Sequence, residues 1–140
     1  MSMSNQKLMN SSIRFIFNLT GRRYRKSITP YMKKLHILPV EYRIKYKVCS
    51  IVYKCLHDIA PRYLQDLIVP KITYDFLRSS NDLYMLETMI PKSKYGERSF
   101  SCIAPVIWNE LPQDIKMSPT LERFKQCLKT HYFTVYFGDK

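Results

Sequence analysis

The chain has 140 residues, of which 46% are hydrophobic, 14% aromatic and 24% charged. This length and apolar content are typical of a single globular domain and exclude disorder as the dominant state. No run approaches the ~18 uncharged apolar residues of a transmembrane helix, and the start lacks the apolar core of a signal peptide. We expect an intracellular protein of the cytoplasm or the nucleus, with no membrane partner.

Charge is the strongest compositional signal, because 23 basic residues outnumber 11 acidic ones and give a net charge of +12. Residues 1–60 hold 12 of the basic side chains against two acidic ones, Glu41 and Asp58. The densest basic group is Arg22, Arg23, Arg25 and Lys26, with Tyr24 between them. This balance favours a polyanionic partner in contact with the first half of the chain, RNA or DNA first and an anionic membrane surface second. An acid-free, arginine-rich start also fits a mitochondrial transit peptide, which stays an alternative.

The sequence contains none of the common catalytic motifs. It has no glycine-rich phosphate loop, no G-x-S-x-G elbow and no H-E-x-x-H, and its acidic residues stand singly, which disfavours a two-metal centre. The four cysteines are predicted to be reduced core thiols, because Cys49, Cys55, Cys102 and Cys127 form no C-x-x-C pair. Cys55 and His57 would point about 200° apart on a helix, which disfavours a shared metal. We expect no enzyme activity, no cofactor, no metal and no small-molecule substrate.

The first half of the chain is predicted to be helical. Apolar residues recur at helical spacing over 6–19, and Gly21 offers a left-handed stop. Thr29 precedes Pro30 and predicts the cap of a short helix, which breaks before Pro39. The longest helix is predicted from Pro39 to about Asp58, and residues 61–68 add one or two helical turns.

The second half of the chain begins with a stretch, 71–97, that loses the helical period. We predict a loop at 78–82, a short extended segment at 83–90 and a turn at 92–96. A short helix over 99–111 accommodates Pro105, and a last helix starts at Ser118. The predicted fold class is mostly α, a small domain of about five helices with a short extended segment or hairpin in the middle. Its parts are 1–27 (basic helix and linker), 28–70 (core helices), 71–97 (loop and extended segment) and 98–140 (C-terminal helices).

The longest predicted helix has two different faces when successive residues are placed about 100° apart. One arc of roughly 120° holds aliphatic and cysteine side chains and is predicted to be the core face: Val40, Ile44, Val48, Ile51, Val52 and Cys55. A second arc of about 60° holds Arg43, Lys47, Ser50 and Lys54. The rest of the predicted core comprises Leu64, Leu67, Trp108, Leu121, Phe124 and Leu128.

This basic arc is the candidate nucleic-acid-binding surface, together with the cluster before it. Phosphate contacts are predicted from Arg22, Arg23, Arg25, Lys26, Arg43, Lys47 and Lys54. Base stacking is predicted from Tyr24, Tyr42, Tyr46 and Tyr53, because tyrosine rings offer flat faces to unstacked bases. The alternative is that the tyrosines pack on a neighbouring element and the lysines are merely solvated.

Several stretches resemble a known family. They include residues 14–19, Thr29-Pro30-Tyr31, residues 35–45, residues 60–64, Arg78-Ser79-Ser80, residues 95–100, Ala104-Pro105, Trp108-Asn109, Leu111-Pro112 and Phe124-Lys125. In this order they resemble the segment that follows the reverse transcriptase in polyproteins of non-LTR retrotransposons of the LINE, jockey-like type. Some relatives carry a zinc knuckle there, and this sequence has no matching Cys and His spacing.

The resemblance implies a non-catalytic accessory module that helps a reverse transcriptase domain to hold template RNA or target DNA. It also favours a truncated piece of a longer polyprotein over a separately expressed remnant, since Met1 lies near the start of a helix that would continue upstream in the family. Two alternatives stay open. The chain is a scaffolding domain that docks on a polymerase through its apolar first helix, or it is a degenerate remnant without activity.

Overall fold

The computed structural model describes residues 2–19, 27–71, 84–91 and 96–138. The described residues form seven α-helices, and the mostly helical fold predicted from the sequence is confirmed. The helices are α1 (Ser2–Ile16), α2 (Thr29–Lys34), α3 (Val40–Leu56), α4 (Arg62–Gln65), α5 (Phe100–Asn109), α6 (Gln113–Lys116) and α7 (Leu121–Phe137). A 3₁₀ helix spans Gly96–Arg98, and Pro70 and Leu86 form an isolated antiparallel bridge.

Three helices end on a residue with a left-handed backbone. Asn18, His36 and Asp58 have φ values of 52°, 50° and 57° after α1, α2 and α3. In each case the next residue donates its N–H to the carbonyl five positions back, as in Ile59 to Lys54 at 2.9 Å. The predicted stop at Gly21 is therefore wrong for α1, because Asn18 closes the helix three residues earlier.

The chain folds into two compact units, Met1–Ile44 with Thr130–Lys140, and Lys45–Lys129. The first unit contains α1, α2, the start of α3 and the end of α7. Its buried side chains include Ile13, Met32, Leu38 and Tyr132. The Gln6 side chain from α1 accepts the Val40 N–H at 2.9 Å, and this bond satisfies an otherwise open donor at the start of α3.

The core of the second unit is built on three aromatic side chains, Tyr53, Trp108 and Phe124. All three are at most 1% exposed. The Tyr53 ring stacks on Phe124 with centroids 4.4 Å apart, and Trp108 lies 5.7 Å from Phe124. The Tyr53 hydroxyl donates to the carbonyl of Ser118 at 2.7 Å, so the buried polar tip of the ring has a partner.

The last two residues of α5 hold the non-helical stretch at 84–86. Trp108 donates its indole N–H to the Tyr84 carbonyl at 2.7 Å. The Asn109 amide oxygen accepts the Leu86 N–H at 3.0 Å, and the amide nitrogen donates to the Leu86 carbonyl at 2.9 Å. Asn109 thus pairs with Leu86 as a neighbouring strand would, which explains how one bridge to Pro70 suffices for this stretch.

The predicted core is partly wrong. Val52, Trp108, Phe124 and Leu128 are fully buried as expected, whereas Ile44 is 49% and Leu67 40% exposed. Val40, Val48, Ile51, Leu64 and Leu121 are half-buried. The buried side of α3 carries Val52 and Cys55 of the predicted arc together with Cys49, Ser50 and Tyr53, so its centre lies about 100° round the helix from the centre of that arc. The prediction weighted aliphatic and cysteine side chains, while the core accepts Tyr53 because its ring is stacked and its hydroxyl is bonded.

We predict that Tyr53→Phe lowers the free energy of unfolding by about 1–2 kcal/mol, because the buried Ser118 carbonyl loses its donor. Urea unfolding followed by circular dichroism measures the change. Tyr63→Phe is the matched control, since Tyr63 is 68% exposed and its variant should unfold like the parent. Equal stability of the Tyr53 and Tyr63 variants would contradict the buried hydrogen bond.

Candidate nucleic-acid interface

The cations of the predicted stripe lie on the solvent side of α3. Arg43 and Lys47 are exposed and Lys54 is half-buried. Lys47 and Lys54 are seven residues apart and share one side of the helix, with a rise of about 10 Å along its axis. Arg43 belongs to the first unit, and Lys47 and Lys54 belong to the second. Ser50, which was predicted on the same arc, is not part of the exposed surface. It is buried, and its hydroxyl donates to the Tyr46 carbonyl at 2.7 Å.

The three cations carry uncompensated charge. Arg43, Lys47 and Lys54 make no ion pair within the described parts of the chain, where the pair found joins Lys45 to Glu110 at 3.8 Å. That pair is solvent-accessible, with side chains 29% and 61% exposed, and contributes little to stability. Local positive potential therefore remains on the side of α3 that holds Arg43, Lys47 and Lys54.

The tyrosines predicted to stack on bases are less accessible than expected. Tyr53 is 1% exposed with its ring against His57 and Phe124, so the prediction that it stacks on a nucleic acid is wrong. Tyr42 is half-buried, and its ring lies 5.7 Å from Tyr132 and 5.4 Å from Tyr136. Tyr46 is half-buried too, and burial raises the pKa of its hydroxyl. The alternative interpretation, in which tyrosines pack on neighbouring elements, fits Tyr42 and Tyr53.

The other half of the predicted surface lies outside the described residues. That half is Arg22, Arg23, Tyr24, Arg25 and Lys26. The loop predicted at 78–82 and residues 92–95 of the turn predicted at 92–96 also lie outside the described residues. Of the predicted surface, the structure therefore describes the part that lies on α3. Contacts from the cluster at 22–26 stay a prediction from charge and position.

Further exposed cations lie on α2 and α7, and none of them was among the residues predicted to bind nucleic acid. Lys33 and Lys34 occupy the last turn of α2, and Arg123 and Lys129 lie on α7 away from Phe124. The helical period already carried this information for α7, because both positions fall outside the arc of its apolar residues. Each adds exposed positive charge without a carboxylate partner in the described stretches.

One lysine is buried and takes no part in the basic surface. Lys116 at the end of α6 is 3% exposed, and its ammonium group donates to the Asn109 carbonyl at 3.2 Å. A second contact joins it to the Met85 sulfur at 3.6 Å. The cation therefore lies at the C-terminus of α5, where the helix dipole favours positive charge. Burial lowers the pKa of Lys116, and no local pattern in the sequence indicates this environment.

The thiols and histidines form no metal-binding group in the described stretches of the chain. Cys49 and Cys55 are buried, Cys102 and Cys127 are half-buried, and all four are reduced thiols outside any disulfide. Burial raises the pKa of the Cys55 thiol, which keeps it protonated and unreactive near neutral pH. No helix among the described residues is long and apolar enough to cross a membrane.

Comparison with known proteins adds no assignment, because no family model, curated protein or solved structure matches the chain. The resemblance to the retrotransposon segment stays a prediction from sequence. Some of the residues that carry it have structural roles here, as Trp108 and Asn109 do in holding residues 84–86. The uncompensated cations of α3 are the main observation that bears on function.

We predict that the stability of the parent relative to Lys116→Met increases as pH rises from 7 toward 10. The folded pKa of Lys116 lies below its usual 10.5, so the folded protein releases the proton before the unfolded chain does, and stability rises in that window. Urea unfolding at several pH values gives the difference. Groups that titrate in the same way in the parent and in Lys116→Met do not affect the difference between their free energies of unfolding.

Lys33→Met is the control for this pH series, because it removes an exposed lysine and leaves the buried Lys116 in place. A Lys116→Met difference that is flat with pH would show that the buried ammonium group is not penalised.

Proposed function

We propose that the chain is a non-catalytic nucleic-acid-binding module whose phosphate-contacting surface is the exposed side of α3. The observation that supports this most is the pair Lys47 and Lys54 on one side of α3, which has no carboxylate partner among the described residues. The net charge of +12 and the basic cluster at 22–26 support it further. A solvated surface needs no such alignment of cations along one helix.

The binding mechanism is electrostatic. Each lysine or arginine that neutralises a phosphate releases condensed counterions, so affinity falls steeply as salt rises. Lysine ammonium groups act as point charges on the backbone and carry no base information, so binding is expected to tolerate many sequences. The module would thus contribute sequence-independent affinity, and any sequence specificity would be provided by another domain or partner.

The resemblance to the segment behind retrotransposon reverse transcriptases suggests the setting in which such affinity is useful. A polymerase that primes synthesis at its target must hold template RNA and target DNA near one active site. A basic helical module next to it would keep one of these nucleic acids bound, in the cytoplasm or the nucleus. This assignment rests on the sequence resemblance, and the electrostatic surface is compatible with it.

We predict that Lys47→Glu with Lys54→Glu weakens nucleic-acid binding at least tenfold and flattens its salt dependence. Each lost phosphate contact should reduce the slope of log affinity against log salt by about 0.9 on duplex DNA. Fluorescence anisotropy across a salt series measures both quantities. Adding Arg43→Glu should reduce the slope of log affinity against log salt by a further ~0.9.

The charge-matched control is Lys33→Glu with Lys34→Glu, which changes the net charge equally on exposed side chains of α2. Its effect on the slope should be smaller than that of the α3 variant. Equal effects would mean that net charge alone drives binding and that α3 is not the contact surface.

A second candidate function is docking on a polymerase through α1, and exposed apolar residues favour it. Phe15 is 83%, Leu8 65% and Ile16 62% exposed. Leu8 and Phe15 are seven residues apart and therefore share one side of α1. The opposite side is anchored by the buried Ile13, so the helix can present this apolar pair while staying folded.

We predict for this candidate that Leu8→Ser with Phe15→Ser abolishes capture of a non-LTR reverse transcriptase domain while leaving the thermal melt unchanged. Deleting α1 would be a poorer test, because it would uncover the core around Ile13. Lys7→Ser with Ser12→Ala alters exposed α1 positions and serves as the control. Capture that survives in the Leu8 and Phe15 variant would rule α1 out as the docking surface.

A further inference from the structure

We infer that the α3 surface takes duplex nucleic acid in preference to single strands, and this inference rests on the proposed function. The two substrates differ in what they require from a protein. A single strand gains much of its binding energy when unstacked bases lie against aromatic rings, whereas a duplex keeps its bases stacked on one another. The accessibility of rings beside the cations therefore distinguishes the two.

No ring on α3 is fully exposed. Tyr53 is packed against His57 and Phe124 and is tied by its hydroxyl to Ser118. Tyr42 packs on other rings, and Tyr46 is half-buried. The large aromatic side chains that are most exposed in the described residues, Phe15, Tyr63 and Tyr84, lie on other elements.

Aliphatic side chains lie on one flank of the cations, and the half-buried Tyr46 lies on the other. Ile44 is 49% exposed next to Arg43, and the half-buried Ile51 lies about 40° from Lys47 round the helix. Such side chains have no π face to replace the stacking that a base loses when it is splayed out. They can lie against sugars and groove walls, so the α3 surface suits a backbone whose bases stay paired.

Charge density acts in the same direction. Duplex DNA carries one phosphate charge per about 1.7 Å of axis, and each neutralised phosphate contributes about 0.9 to the salt slope against about 0.7 for a single strand. Lys47 and Lys54, both in the second unit, stand at a fixed rise of about 10 Å on α3. A stiff duplex meets this rigid array without losing chain entropy, whereas a flexible strand must be ordered to do so.

The test compares one labelled duplex with each of its separated strands, as DNA and as RNA, by anisotropy across a salt series. We expect at least one duplex to bind about tenfold tighter than its strands, with a steeper salt slope. Lys47→Gln should weaken duplex binding. Tyr46→Leu, checked by thermal melt for an intact fold, should leave single-strand affinity within about twofold.

Single strands that bind as tightly as the duplex, or a large loss of their binding in Tyr46→Leu, would overturn the inference while leaving the proposed function in place. Weak binding to every probe at low salt, with no response to Lys47→Gln, would overturn the proposed function itself. The two failures are therefore distinguishable in one set of titrations.

Discussion

Tyr53 is held by two neighbouring rings and by a hydrogen bond at its hydroxyl, and the orientation of α3 follows from this. The centroid of its ring lies 4.0 Å from that of His57 and 4.4 Å from that of Phe124. Its hydroxyl donates to the Ser118 carbonyl at 2.7 Å. Because a helix is rigid, fixing Tyr53 inward with Cys49 and Val52 turns the side of Lys47 and Lys54 toward solvent. A tyrosine buried without the Ser118 carbonyl would leave an unpaired hydroxyl in the core, at a cost of about 1–3 kcal/mol.

The same pairing of polar groups holds the rest of the second unit. Trp108, Asn109 and Lys116 each direct a side-chain nitrogen to a backbone carbonyl, of Tyr84, Leu86 and Asn109 respectively. No buried side-chain nitrogen or oxygen of the described residues lacks a partner. The non-helical stretch at 84–86 is thereby fixed by side chains of α5 and α6, with one β-bridge.

The helices could be predicted well from the sequence, since proline positions and the 3.6-residue period are local signals. The predicted bounds of α3 and α7 lie within a few residues of the observed ones. The core face of α3 could not, because hydropathy ranks Ile44 above Tyr53, while long-range partners at Phe124 and Ser118 decide which is buried. The exposure of Arg43 and Lys47 was predictable, because charge stays in water unless it is paired, whereas Lys54 is half-buried. The burial of Lys116 was missed because Met85 is far away along the chain.

We propose that one helix, α3, contributes Tyr53 to the core and its solvent side to the contact with nucleic acid. Amide hydrogen exchange measured with and without a bound duplex tests it most directly at the helix itself. We expect amide exchange along residues 43–54 to become slower when the duplex binds. The amides around Phe124 and Trp108 should already exchange slowly in the free protein. Protection that appears on other helices, with exchange along 43–54 unchanged, would contradict it.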